Sequence, residues 1–376
     1  MPEPLPSLRI AAHNGASEWG GAEIAVCRLL HDLQAREHTV RLWYAKTLVA
    51  RQAAPYGVET RYLHVGGDVA IHHALRVASA LRVWRPDVLI AGTFRKLLHL
   101  SLGARLTGVP LVARIGLSSD LPRNDKYRWL FRHLVAHTVV NSESLREAWL
   151  TAMPELDPAR ISVIYKGVAV PSDLPSRSQA RAALGLEPDE FVIGGVGRLV
   201  EQKRFDRWLH VLAELPGHVK GVLVGDGPLR PSLHQRAADL GVADRVRFTG
   251  HLSSAWRALP AFDALLITSD RESMANVMLE AMAVGVPTLT TPVDGAREAL
   301  LAGPPHAPPA GRVADAFSAE ALRALAEPLT SDMRTLHQMA QSAEARARDA
   351  FAPEASAMAW EATLQHIVQD RRSSRS

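Results

Sequence analysis

The sequence predicts an α/β protein of two domains, each built on a parallel sheet covered by helices on both faces. Two observations carry this expectation. Short apolar runs alternate with helix-period stretches almost from end to end, the pattern left by right-handed crossovers between parallel strands. The alternation pauses once, around residues 161–188, where Val170-Pro171-Ser172-Asp173-Leu174-Pro175-Ser176 reads as a linker. The length agrees, because 376 residues exceed the size at which one core stops growing, roughly 250–300.

In the first half, strands are expected at 8–12, 40–44, 87–91, 110–114 and 138–141. Helical faces between them are carried by Leu75, Ala78, Leu81 and Val83, and by Leu97, Leu98, Leu102 and Leu106. In the second half, strands are expected at 191–196, 219–224, 246–249, 264–268 and 288–291, and 301–311 reads as a Gly/Pro/Ala-rich surface loop. The domains are accordingly set at 1–170 and 171–350. A final helix at 351–369 carries Met358, Trp360, Leu364 and Ile367 for packing back toward the first domain, and 370–376 is expected to be a disordered tail. Open parallel sheets bind ligands outside the carboxyl ends of their strands, so an interdomain cleft is the expected site.

Composition excludes several classes. Hydrophobic residues make up 47% and charged residues 22%, without a low-complexity tract, which argues against long disorder. The lone Cys27 rules out an internal disulfide and a cysteine-rich metal site; it reads as a small core hydrophobe in a reducing compartment. The first six residues lack the blocks of a signal peptide, and no apolar run reaches the ~20 residues that span a bilayer, so a cytoplasmic protein is expected. Sixteen scattered histidines, with His72 and His73 adjacent, give no zinc spacing. A net charge of +4 suits a surface that meets anions such as nucleotide phosphates or acidic headgroups.

Chemistry is concentrated at strand-to-helix crossings. Glu272 and Glu280 bracket an expected helix start near Asn276, and an eight-residue offset leaves them about 80° apart on a helical wheel. The plain alternative is dipole stabilisation of that helix, worth about 0.3–1 kcal/mol; the functional one is a pair holding two ends of a polyhydroxylated ligand. The first strand leads into a glycine-bearing loop with Gly20 and Gly21 before Glu23, suited to close backbone approach and anion binding. Gly195-Val196-Gly197-Arg198 with Lys203 follows the first strand of the second domain, where two cations could converge on a diphosphate. Gly225-Asp226-Gly227-Pro228 is a tight turn with Pro228 near the first position of the next helix. Neither glycine loop has the spacing of a nicotinamide fingerprint, and no Walker lysine occurs.

In this order the motifs resemble the retaining glycosyltransferases of family 4, also called glycosyl transferases group 1. They run from Gly20-Gly21-Ala22-Glu23 through Gly197-Arg198 with Lys203, Gly225-Asp226-Gly227-Pro228 and Phe248-Thr249-Gly250 to Glu272-Ser273 and Glu280-Ala281-Met282. The resemblance implies the GT-B architecture: two facing Rossmann-like domains with an interdomain cleft, the first for the acceptor and the second for a nucleotide-sugar donor. It implies sugar transfer from a nucleotide-diphosphate sugar with retention, with no metal and no cofactor beyond that donor. It also implies roles: Arg198 and Lys203 on the diphosphate, Glu272 and the backbone of Ser273, Met274, Ala275 and Asn276 on the sugar, Glu280 on the ribose, and Gly20, Gly21 and Gly197 where the backbone approaches the donor. The chain departs from the family pattern in carrying Arg114 where many relatives place a histidine nearby, and Arg204 after Lys203 where glycine is usual. Arg114 and Asp120 are the acceptor-side candidates.

The acceptor is expected to be a glycan, a lipid-linked glycan or a small molecule. Residues 126–135 mix basic and aromatic side chains, either as a crossover helix packing Trp129, Phe131 and Leu134 on the sheet or as an interfacial helix touching an anionic membrane at its inner face. Two rivals stand beside this reading. A nucleotide-sugar epimerase of similar shape would need no acceptor, and a nucleic-acid-binding protein would need the basic run that is missing here. No nucleic-acid partner is expected.

Overall fold

A computed structural model describes residues 6–16, 19–66, 71–92, 94–122, 124–252, 254–303 and 308–373. Ser17 and Glu18 of the first glycine-bearing loop lie outside the described residues. The chain forms two compact units, residues 1–167 with 353–376, and residues 168–352.

The first unit holds seven parallel strands: β1 (Arg9–Asn14), β2 (Thr39–Tyr44), β3 (Thr60–Tyr62), β4 (Val88–Ala91), β5 (Leu111–Ile115), β6 (His137–Val140) and β7 (Ile161–Val163), in the order β3-β2-β1-β4-β5-β6-β7. Alternate side chains enter two cores, as a sheet covered on both faces requires. Ile10, Leu42 and Ile90 meet Val26, Leu30 and Leu33 of the Gly21–Ala35 helix, with Trp360 and Leu364 of the final helix. Ala11, Trp43 and Leu89 face Val77, Leu81, Leu100 and Trp149. Cys27 is buried in the first of these cores.

The final helix, Pro353–Ser373, belongs to this first unit. It is pinned by Glu361, which accepts from Arg36 and, at 3.1 Å, from His38. Residues 370–373, expected in a disordered tail, continue this helix; 374–376 lie outside the described residues. Met358, expected to pack, is exposed.

The second unit holds six parallel strands: β8 (Phe191–Val196), β9 (Val219–Val224), β10 (Val246–Gly250), β11 (Ala264–Ile267), β12 (Thr288–Thr290) and β13 (Gly311–Val313), in the order β10-β9-β8-β11-β12-β13. Each sheet reverses its strand order beside its first strand, at β1/β4 and at β8/β11. Such switch points open a crevice at the carboxyl ends.

Several local expectations are corrected. Strands β3, β7 and β13 add to the expected strands, β7 within the expected pause; three residues each are too few to show a period. Residues 310 and 311 are buried rather than part of a surface loop. The helix Ile71–Trp84 turns Ala74, Val77, Ala78 and Leu81 inward and leaves Leu75 and Val83 exposed at 56% and 82%. In Leu97–Thr107, Leu97, Leu100 and Ala104 are the buried set, while Leu106 is exposed. The helix after β9 begins at Arg230 with Pro231 in its first turn, so Pro228 sits in the turn before it. In Asp125–His133, Leu130 and Phe131 are buried whereas Trp129 is 52% exposed. Among the described residues, no helix is long and apolar enough to cross a membrane.

Candidate functional site at the strand carboxyl ends

In the second unit the loops after β8 and β11 flank the switch point and are stitched together. The Thr268 hydroxyl donates to the carbonyls of Lys203 and Arg204, both at 2.9 Å. The Asp270 N–H donates to the Gln202 carbonyl at 3.0 Å, and the Gln202 amide donates to the Arg271 carbonyl at 2.7 Å. This holds Lys203 against Glu272: the ammonium donates to Glu272 Oε1, which also accepts from the Ser269 hydroxyl at 2.8 Å. The Lys203 side chain crosses Gly197 so closely that a Cβ there would stand 3.3 Å from its Cε. Lys203, Glu272 and Gly197 are therefore brought together, and Arg198 lies exposed on the same loop.

The helix after this loop is Asn276–Ala283. Ala275 at its N-cap offers no side-chain bond, and its first turn holds no carboxylate. Glu272 precedes the helix and is paired with a lysine, and Glu280 lies in its second turn, half-buried. Dipole stabilisation of the first turn explains neither residue. Ser273 is half-buried and Met274 and Ala275 are buried beneath the loop.

Glycine is required where the loops cross. Gly225 has φ 141°, and a Cβ there would stand 1.8 Å from the Gly197 carbonyl oxygen. Backbone bonds seal the crossing: Gly197 N–H to Val224, Leu199 N–H to Asp226, and Gly225 N–H to Gly250, each at 2.9 Å. No L side chain fits between these segments without moving main chain.

In the first unit Gly20 caps the Gly21–Ala35 helix with extended backbone, and Glu23 in its first turn is buried. Burial pulls the Arg114 guanidinium below its ordinary range, and the Glu23 carboxylate opposes that shift. Burial, with Glu23 nearby, pushes the Cys27 thiol up to about 12. Asp120, half-buried, ends the short turn Ser118–Asp120 beyond β5. His13 at the end of β1 is fully buried, with Nε2 3.2 Å from the Leu63 carbonyl oxygen. Burial brings its pKa down to about 4, so the ring is neutral near pH 7.

Several residues of these loops were not singled out in the sequence. Glu23, in the first turn of its helix, lies close enough to Arg114 on β5 for its carboxylate to act on the guanidinium. Ser269 and Asp270 position Glu272 and the arginines: Asp270 accepts from Arg207 at 2.8 Å and from Arg204 at 3.2 Å. The available signal was their place directly after a buried strand. Arg204 has φ 50°, a conformation held by these bonds and by Asp206.

These two sheets, each with ligand-ready loops at a switch point, define Rossmann-like units of the GT-B class. A family model described as Glycosyltransferase Family 4 matches residues 19–170, and one described as Glycosyl transferases group 1 matches residues 176–346. The chain belongs to this family of glycosyltransferases. A lipopolysaccharide core biosynthesis glycosyltransferase, LpsD of Rhizobium meliloti, is 31% identical over 224 residues, 58% of this chain and 59% of that protein. A D-inositol 3-phosphate glycosyltransferase of Mycobacterium marinum is 40% identical over 153 residues, 39% of this chain and 33% of that protein. The matched regions thus span less than two thirds of these relatives. HepE of Anabaena, solved with UDP, superposes with a TM-score of 0.83 at 20% identity, over 96% of this chain and 100% of that one, a likeness of fold.

Proposed function

We propose that the protein is a retaining, metal-independent glycosyltransferase that moves a sugar from a nucleotide-diphosphate donor to a glycan, lipid-linked or small-molecule acceptor. Its place would be cell-surface polysaccharide or glycoconjugate synthesis in the cytoplasm, with a lipid-linked acceptor met at the inner membrane face. The observation that carries this reading is the Lys203–Glu272 contact over Gly197 at the β8/β11 switch point. An ammonium has three donors, so Lys203 can keep Glu272 while serving a phosphate. Both bonds to Glu272 end on Oε1, leaving Oε2 to accept from a sugar hydroxyl. Arg198 joins Lys203 on the diphosphate, Glu280 accepts from the ribose, and the backbone of Ser273 to Asn276 orients the sugar. Gly20 and Gly21 keep their assignment to the donor pyrophosphate, and Arg114 with Asp120 theirs to the acceptor.

In this mechanism the acceptor hydroxyl attacks the anomeric carbon on the face from which the diphosphate leaves. The carbon–oxygen bond to the phosphate breaks as the new one forms, and the departing phosphate oxygen takes the hydroxyl proton. Arg198 and Lys203 stabilise the charge growing on that phosphate, the main protein contribution. Support comes from two kinds of relative: those named for lipopolysaccharide core and Vi polysaccharide biosynthesis, and HepE, solved with UDP-glucose.

A thermal-shift screen of nucleotide sugars tests the donor site, uridine donors first. A donor at 100 times its dissociation constant stabilises by about 2.7 kcal/mol. If no nucleotide sugar moves the transition, or if E280A responds as the wild type does, the site is misassigned. An inverted anomer in the product, read by NMR, would remove retention.

A further inference from the structure

A cavity of about 520 Å³ opens at the amino-terminal ends of β4 and β5, the edge of the first sheet opposite to its carboxyl-end loops. Arg82, Arg85, Arg371 and Arg372 line it against a single carboxylate, Asp87. That carboxylate is already engaged, since Oδ2 accepts the Arg9 N–H and Oδ1 accepts from Arg372, both at 2.9 Å. Arg371 is aimed by its Nε, which donates to the Gly108 carbonyl at 2.6 Å. Leu81, Val109 and Val368 supply an apolar wall.

Two further features mark the rim of the cavity. Arg85 has φ 51°, a left-handed conformation that costs a non-glycine residue about 1–2 kcal/mol, and it directly follows a helix end where glycine would be unstrained. Val83 and Leu106, chain neighbours of the lining residues Arg82 and Thr107, are exposed although both are large and apolar. The volume falls within the ~300–1,000 Å³ of small-molecule sites. Clustered guanidinium groups match phosphate oxygens by paired, charge-assisted bonds.

We propose that this cavity binds a phosphate ester, its phosphate on Arg82, Arg85 and Arg371 and its carbon body on Leu81, Val109 and Val368. The site is separate from the donor site and does not depend on that assignment. A soluble sugar phosphate and a lipid headgroup share this chemistry, so two probes separate the sources. Glucose 6-phosphate is titrated by calorimetry, and vesicles of phosphatidylcholine with or without phosphatidic acid are used in flotation. Both are applied to full-length protein in a K203A background, which weakens phosphate binding at the donor loops. R85Q/R371Q is expected to weaken the response at least about tenfold, as loss of one charge-assisted bond implies. Arg85 is exposed, so R85Q alone serves if the double variant does not fold. A variant-sensitive response to glucose 6-phosphate identifies a soluble ester; one confined to phosphatidic acid vesicles identifies a headgroup. Binding of neither probe, or equal binding by wild type and variants, overturns the proposal.

Discussion

The carboxyl ends of the two sheets are built in opposite ways. In the second unit the edge is made of main chain: the loops after β8, β9 and β10 cross through Gly197, Gly225 and Gly250 and satisfy one another's hydrogen bonds. In the first unit the edge is made of buried side chains with bonding capacity to spare. Among the described residues, His13 Nδ1, Asn14 Nδ2 and both amide atoms of Asn141 are buried without a hydrogen-bond partner. Each such group costs about 1–3 kcal/mol. One edge therefore spends its polar groups on the fold, and the other holds some back at a cost in stability. Substitutions in the main-chain crossing of the second edge should therefore cost more stability than substitutions of exposed groups at the first.

Glycines test this contrast with the largest effect. G225A places a methyl group against a main-chain oxygen and should destabilise by about 3–5 kcal/mol in urea unfolding. G20A adds its Cβ 3.5 Å from a flexible carboxylate, at extended backbone, and should change stability by less than about 0.5 kcal/mol. Equal losses in the two variants would dissolve the distinction. Next comes Lys203, where the second edge meets chemistry. K203A should lower kcat about 10²–10³-fold, by analogy with loss of one stabilising donor. It should also cost about 1–3 kcal/mol of stability, because Glu272 is left half-buried without its cation. A variant that loses neither activity nor stability would show the pair to be an ordinary surface contact.

The first edge should show itself in acid. His13 is lowered from 6.5 to about 4 by burial, with Lys96 and His64 adding to the shift and the Leu63 carbonyl opposing it. The unfolded chain takes up this proton before the folded one, so the contribution is complete above pH 6.5 and is lost as pH falls toward 4. The loss is on the order of 3 kcal/mol. His137 on β6 shifts the same way, also to about 4 and also chiefly by burial. H13Q should therefore reduce the slope of stability against pH in this window without abolishing it. An unchanged slope would mean that His13 is reached by water.

The same contrast explains what could be read from the sequence. The second edge was the more legible because its chemistry follows strand ends directly: Gly197, Lys203 and Glu272 each sit within a few residues of a buried apolar run. Their mutual contact was not legible, since Lys203 and Glu272 are 69 residues apart and only the parallel pairing of β8 with β11 joins them. At the first edge, the influence of Glu23 on Arg114 was not legible, because Arg114 lies on β5, far along the chain. Three-residue strands such as β3 and β13 leave no period. On the helix Ile71–Trp84, Leu75 and Val83 read as core residues because hydrophobicity alone does not fix the buried face. That face is set by Val77 and Leu81 packing on the sheet.

Asn141, at the end of β6, carries a small expected effect on stability and the sharpest separation of fold from function. Its amide is buried and unsatisfied on both atoms, so an apolar side chain of similar volume relieves a desolvation cost without breaking a bond. N141L should leave stability unchanged or raise it by up to about 1 kcal/mol, in urea unfolding at neutral pH. If the amide is held back for the acceptor, the same variant should raise the acceptor KM with the donor KM unchanged, because only acceptor binding loses a partner. A clear loss of stability would instead assign Asn141 to the fold, and the two edges would then differ only in how their hydrogen bonds are made.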